Sequence, residues 1–279
     1  MKRDLLSSRW SAAATPWLTA TLDVLFPGAC AVCLQPHRRD GDGIVCVECR
    51  SRVQPLRWPQ CGRCGHPVDV PDIASAGRDR ESDRPCRWCQ RLHPAIRAVR
   101  SYCWTDQGSN SSLLHALKYR GWSETAAFMA NRMSRLTWPR DVLEERAALI
   151  PVPVSADRRR ERGYNQAERL ADALAMRWGI PVWGGAVTRT RQQASQVRLT
   201  PSERAANVSG AFAVPETWRA ALRGQHVVVV DDVVTTAATL NAVADALVAG
   251  GARIISSVTF GRAPDPGTRP LPDDSFSGM

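Results

Sequence analysis

Lysine is nearly missing from this chain. Among the 37 basic residues of its 279, only Lys2 and Lys118 are lysine, and the rest are arginine. So lopsided a ratio reads first as genome base composition, although arginine also suits phosphate binding. Long apolar runs are missing too: none reaches the roughly 18 residues that crossing a membrane takes. Met1-Lys2-Arg3 opens like a secretory signal, but Asp4 and Arg9 interrupt it, Pro16 and Asp23 break the apolar stretch after it, and no small-residue cleavage pattern appears. The expected location is therefore the cytoplasm, where cysteines stay reduced. The net charge of +10 fits an anionic substrate or a nucleic-acid surface and does not choose between them.

What is present is globular, with 44% hydrophobic and 23% charged residues. The length suits one α/β domain plus a small extra one. Four segments are expected: 1–26, 27–93, 94–264 and 265–279. In the first, Trp17, Leu18, Leu22, Leu25 and Phe26 read as a short amphipathic helix whose apolar side docks on the protein. The last is rich in proline, glycine and aspartate and reads as disordered.

Eight of the nine cysteines fall into four C-x-x-C pairs: Cys30/Cys33, Cys46/Cys49, Cys61/Cys64 and Cys86/Cys89. Two residues between ligands let one tight turn aim two thiolates at one ion, and two such turns complete a tetrahedron. Four pairs make two zinc sites, with the first two pairs assigned to one and the last two to the other. A crossed pairing also fits the spacing, and a disulfide framework is the alternative chemistry. His66 is a candidate substitute ligand. A module with so little apolar content folds largely on its metals. The insert Asp69 to Pro85 reads as a polar loop, and Cys103 as core packing.

Beyond residue 94 the organising stretch is Val227 to Leu240, VVVVDDVVTTAATL. Four valines without alternation predict a strand buried on both faces, hence a parallel sheet covered by helices. Asp231 and Asp232 fall at its C-terminal end, where open α/β sheets bind ligands. Thr235, Thr236, Ala237, Ala238 and Thr239 then open a helix, a natural phosphate site. Strands are expected at 96–104, 147–154, 211–214 and 254–260, and helices at 111–119 and 124–136. A loop of four arginines comes after the second strand: Ser155, Arg158, Arg159, Arg160, Arg162 and Gly163 lie before a helix that starts near Asn165. Lys118 closes the first helix, where it serves either a phosphate or base contact or the helix C-terminus. The polar stretch Thr188 to Asn207 is about 20 residues of linker inside a compact domain, a length that is usually functional or disordered.

Apolar strand, acidic pair and threonine loop together resemble the 5-phosphoribosyl-1-pyrophosphate (PRPP) fingerprint of type I phosphoribosyltransferases. That fingerprint usually has Gly after the threonine pair, where this chain has Ala237. With the double zinc ribbon, P-V-P, R-R-x-R-G-Y-N-Q (Arg159 to Gln166) and T-R-T-R-x-x-x-x-Q (Thr188 to Gln196), residues 20–263 resemble the ComF family, phosphoribosyltransferase-like proteins associated with DNA uptake. The resemblance implies an α/β fold: a type I phosphoribosyltransferase-like parallel sheet flanked by helices, behind a small N-terminal double zinc-ribbon domain. It implies that Asp231, Asp232 and the threonine loop hold PRPP with Mg²⁺, that 155–163 is the pyrophosphate loop, and that 188–207 is a lid. Two function classes are consistent with it. One is a phosphoribosyltransferase. The other is a non-catalytic PRPP- or nucleotide-sensing module whose ribbons hold single-stranded DNA or a competence-machinery protein. In the second, Arg38, Arg39, Arg50, Arg52, Arg57, Arg63, Arg87 and Arg91 would touch phosphates, and Trp58 or Trp88 would stack on bases. Solvated arginines and packing tryptophans are the plainer reading.

Overall fold

The computed structural model describes residues 28–37, 43–68, 86–106, 108–190 and 210–264. The segment 1–26, the insert 69–85, most of the expected lid (191–207) and the tail 265–279 lie outside the described residues.

In the cysteine-rich head, β1 (Gly28–Ala29) and β2 (Pro36–His37) pair antiparallel, followed by the short α1 (Val47–Ser51) and a 3-10 turn at Cys89–Arg91. The chain continues as β3 (Ile96–Trp104), α2 (Gly108–Tyr119), α3 (Thr125–Met133), α4 (Arg140–Glu145) and β4 (Arg146–Pro151). Next come α5 (Ala156–Arg162), α6 (Gln166–Trp178), β5 (Thr188–Arg189), β6 (Phe212–Ala213) and α7 (Glu216–Leu222). β7 (His226–Val234), α8 (Ala238–Ala249) and β8 (Ile254–Arg262) complete it. Four strands form one sheet in the order β3-β8-β7-β4, and every pairing in it is parallel.

The central strand β7 explains the sheet. Val227, Val228, Val229 and Val230 are all buried. Because strand side chains alternate, Val228 and Val230 enter a core with Leu149, Leu170, Leu174 and Phe260 on one face. Val227 and Val229 enter another with Ile150, Val243, Leu247 and Ile255 on the opposite face. Each enclosed valine contributes about 1.5–3 kcal/mol relative to exposure. The first face carries α3 and α6, the second α8.

Both edges of the sheet are covered. Along β4, Leu149 donates to the Pro181 carbonyl (2.9 Å) and accepts from Trp183 N (2.8 Å). Along β3, the head does the covering: Leu56 N donates to Tyr102 O at 2.6 Å, and Val99 N to Arg63 O at 2.8 Å. Unpaired strand edges template aggregation, so the head has a structural task beside its metal chemistry. It also straddles the sheet. Cys30, Ala31, Val45, Cys49 and Val53 join the first core, while Cys64, Trp88 and Cys89 join the second.

At the β3 edge, Gly65 has φ of +66°, and a Cβ there would lie 2.5 Å from the Val99 carbonyl oxygen. Gly65→Ala combines left-handed strain with a backbone clash, and is expected to lower stability by roughly 2 kcal/mol or more. Thermal melts of the zinc-loaded variant would read this; an unchanged melting temperature contradicts so close an approach.

Candidate functional site: two thiolate clusters and an acidic strand end

The four C-x-x-C pairs form two clusters, Cys30/Cys33/Cys46/Cys49 and Cys61/Cys64/Cys86/Cys89, with the sulfurs of each within 4.8 Å of one another. This is the sequential pairing; the crossed one does not occur. A tetrahedral zinc with Zn–S near 2.3 Å needs sulfurs about 3.8 Å apart. Cys33–Cys46 at 3.9 Å, Cys61–Cys89 at 3.5 Å and Cys86–Cys89 at 3.6 Å are close to that spacing. In the first cluster, the amides of Val32 and Cys46 each donate to the Cys30 sulfur at 3.4 Å, the support a thiolate ligand needs. The residues fit structural zinc. His66 is outside both clusters and meets the Trp104 ring edge-on at 5.7 Å.

At the other end of the sheet, β4 stops pairing with β7 at Pro151–Val230, while β7 continues beside β8 to Val234. The sequence pattern puts the acidic pair at the end of the strand; it lies inside it, because β8 carries the ladder four residues further than β4 does. Asp231 pairs with Thr259 across that ladder. On the sheet face that carries α8, the end of β7 opens into a pocket lined by Val152, Asp231, Val233, Thr235, Thr239 and Thr259.

Burial, then the charge of Asp232, pushes the Asp231 carboxyl well above the usual carboxylate range, against the pull of the Asp232 amide and of Lys118. The Asp232 amide donates to Asp231 Oδ1 at 2.8 Å. Lys118 Nζ sits 2.9 Å from Asp232 Oδ2, both side chains largely enclosed. Sequence reasoning places Lys118 at a helix end but misses this partner, because α2 and β7 meet only in the folded sheet. The nearby Tyr119 accepts a 3.3 Å hydrogen bond from Arg162 Nη2, which ties the same helix end to α5.

The threonine loop rests on one strained residue. Ala237, the N-cap of α8, has φ of +64° and is buried. That is the left-handed conformation Gly adopts freely and alanine adopts at a cost of about 1–2 kcal/mol. Alanine also offers no side-chain acceptor, so no side chain caps the first amides of α8. Thr235, Thr236 and Thr239 lie around them, all three exposed.

The arginine segment differs from its expected loop form. Residues 156–162 make a two-turn helix, N-capped by Ser155, whose hydroxyl accepts from Arg158 N at 3.3 Å, and closed by Gly163 at φ 78°. Three of its arginines are engaged. Arg159 makes a forked pair with Glu168 at 3.1 and 3.2 Å, Arg160 pairs with Asp157, and Arg162 lies 4.9 Å over the Tyr119 ring. Arg158 is exposed. The next residues are fastened as well: Tyr164 donates to Leu117 O, while Asn165 caps α6 through Ala167 N (3.0 Å) and donates to Val152 O (3.0 Å). The R-G-Y-N-Q signature thus reads first as architecture: it fastens α5, α6 and α2 beside the end of β4.

Two of the expected nucleic-acid contacts are corrected. Trp88 is buried, and Arg63 is spent on the carbonyls of Ile96 (3.0 Å) and His93 (3.1 Å). Trp58 is 73% exposed. Of the expected lid, residues 188–190 are described, and they pair back onto 210–213: β5 meets β6 antiparallel, and Thr190 N donates to Ala211 O at 2.9 Å. Cys103 is fully buried and donates to Phe260 O, as a core residue.

A parallel sheet with an acid-and-threonine strand end, edged by two tetrathiolate clusters, defines a phosphoribosyltransferase-like protein with a double zinc ribbon. Family comparison agrees: residues 161–276 match the phosphoribosyl transferase domain and residues 21–90 the double zinc ribbon domain. DNA utilization protein YhgH of Salmonella typhi is 31% identical over 237 residues, covering 82% of this chain and 94% of that protein. Competence protein ComFC of Bacillus subtilis is 29% identical over 80% of this chain and 85% of its own length. Competence protein F of Haemophilus influenzae is 34% identical over 73% and 83%. The chain belongs to the ComF family.

Removing Lys118 leaves the enclosed Asp232 carboxylate without its cation. Lys118→Met is expected to destabilise the protein by roughly 1–2 kcal/mol at neutral pH, and Asp232→Asn in the same chain to recover part of the loss. Denaturant titrations of the two single variants and the double variant measure the coupling. Additive losses would mean that the pair contributes nothing.

Proposed function

We propose that the chain binds PRPP with Mg²⁺ at the C-terminal ends of β4 and β7 and transfers the phosphoribosyl group to an acceptor. The domain division that goes with this is 27–93 for the zinc ribbons and 94–264 for the phosphoribosyltransferase-like part, flanked by 1–26 and 265–279. The observation that carries the reading is the overhang of β7 past β4. It sets Asp231, Thr235, Thr239 and the uncapped N-terminus of α8 around one pocket, with Asp232 next in the strand and paired to Lys118.

In this reading the amides of α8 and the hydroxyls of Thr235, Thr236 and Thr239 take the 5-phosphate. Asp231 and Asp232 take the ribose hydroxyls. Both carboxyl groups offer acceptor oxygens, and burial raises the affinity of Asp231 for a proton. The α5 segment, with Arg158 exposed, faces the leaving pyrophosphate. Magnesium travels on the phosphate oxygens, as a hard cation that keeps mostly phosphate and water ligands. Displacement at C1 passes through an oxocarbenium-like transition state, so the protein contributes position and charge and needs no dedicated general base. The names of the relatives support a role in DNA uptake or utilisation.

A second reading has its own observation. Ala237 holds a left-handed conformation where this loop usually carries Gly, and its methyl is packed inside. A pocket so constrained suits a PRPP- or nucleotide-sensing protein that binds without turnover, with the ribbons holding single-stranded DNA or a protein partner.

Calorimetry of PRPP with Mg²⁺, on the wild type and on Asp231→Asn/Asp232→Asn, tests the pocket common to both readings. Micromolar binding weakened at least about tenfold in the double variant is expected. A folded, zinc-loaded wild type that takes up no PRPP overturns the proposal. Where PRPP binds, pyrophosphate release gained on Ala237→Gly would show that the methyl limits turnover.

A further inference from the structure

Arg262 ends β8, and its side chain is completely enclosed. Its Nε and Nη1 have no hydrogen-bond partner, and among the described residues no carboxylate pairs with it. A buried charge without a counter-charge is strongly destabilising, so a partner for this one is to be expected. Its surroundings point to the second thiol cluster. Nη2 donates to the Cys64 carbonyl, and the guanidinium lies 4.2 Å over the ring of Trp88, inside the Cys86–Cys89 turn. Arg262 therefore touches both turns of that cluster.

Arg100, the other buried arginine among the described residues, reaches the same place. It donates to Gly62 O at 2.7 Å and to Arg63 O at 3.3 Å. The carbonyls of residues 62, 63 and 64 thus all accept from enclosed guanidiniums. A zinc ion held by four thiolates carries a formal charge of about −2, and partners of this kind tune how tightly the metal is held. The first cluster differs. Among the described residues no buried arginine reaches it, and its Cys33 is exposed.

We propose that Arg262 is the counter-ion of a zinc tetrathiolate at Cys61, Cys64, Cys86 and Cys89, assisted by Arg100, so that metal binding and the burial of Arg262 form one coupled event. The two zinc sites are then unequal: the second is electrically part of the sheet, and the first is not. The coupling also reaches the ligand end of the molecule. Arg262 is in register with Val234, whose carbonyl accepts from Ala263 N at 2.9 Å, and Thr235 begins the phosphate loop. None of this depends on PRPP binding.

The test is chelator competition on the zinc-loaded full chain, reading zinc retained per chain and thermal stability. Arg262→Gln keeps a donor for the Cys64 carbonyl without the charge, and Arg262→Lys keeps the charge. Arg262→Gln is expected to weaken one of the two zinc sites by about tenfold or more, and Arg262→Lys to weaken it much less. The loss should persist in a Cys33→Ser background, where the first site is crippled. If Arg262→Gln does not fold with zinc, the comparison of Arg262→Lys with wild type decides. The idea is overturned if Arg262→Gln holds both ions like wild type, if Arg262→Lys loses zinc as readily as Arg262→Gln or as a chain that does not fold, or if the loss vanishes in the Cys33→Ser background.

Discussion

Burial of β7 on both faces is the constraint that sets the rest of the fold. A strand of four consecutive valines needs an apolar layer above and below, and α3 with α6 supplies one while α8 supplies the other. Parallel neighbours then stagger the strand ends. β4 stops at Pro151, β8 runs on, and the unmatched length of β7 holds the only two adjacent aspartates in the described sheet. Their charge is manageable there because Lys118 arrives from α2 to pair with Asp232, leaving Asp231 as the member with the raised affinity for a proton.

The head solves a different problem. A parallel sheet of four strands has two edges, and β3 would be one of them. The zinc-ribbon turns lie along it, bonding Tyr102 and Val99 and slipping Gly65 against the backbone. Their thiols sink into the cores on either side. The same turns that carry the thiols therefore cover the sheet edge, and two enclosed arginines meet the second cluster there.

Much of this is legible in the sequence, for identifiable reasons. Thiol spacing is a local property, so four ligand turns and two sites can be read from it, while which turns share an ion is decided by the fold. Unbroken valine runs and the aspartates that follow them are local as well, although the pair lies inside β7 and not at its end, and β3 spans the residues its pattern indicates. The arginine segment reads wrongly as a loop because its charges mask a capped helix: Ser155 and Gly163 are ordinary start and stop residues. Trp88 and Arg63 look available for stacking and phosphates because composition says nothing of which way a side chain faces. Ala237 is visible as a departure from the usual glycine, but that it stands at positive φ requires the backbone.

The sequence by itself determined the periodicities, the metal-ligand spacing and the acid-and-threonine signature, since each depends on residues close to one another along the chain. The tertiary structure alone decided the pairing of Lys118 with Asp232, the strand overhang that opens the pocket, and the seat of Arg262 against a cluster far back in the chain. These are contacts between distant segments, and their partners are chosen by how the sheet orders its strands, which no local pattern encodes.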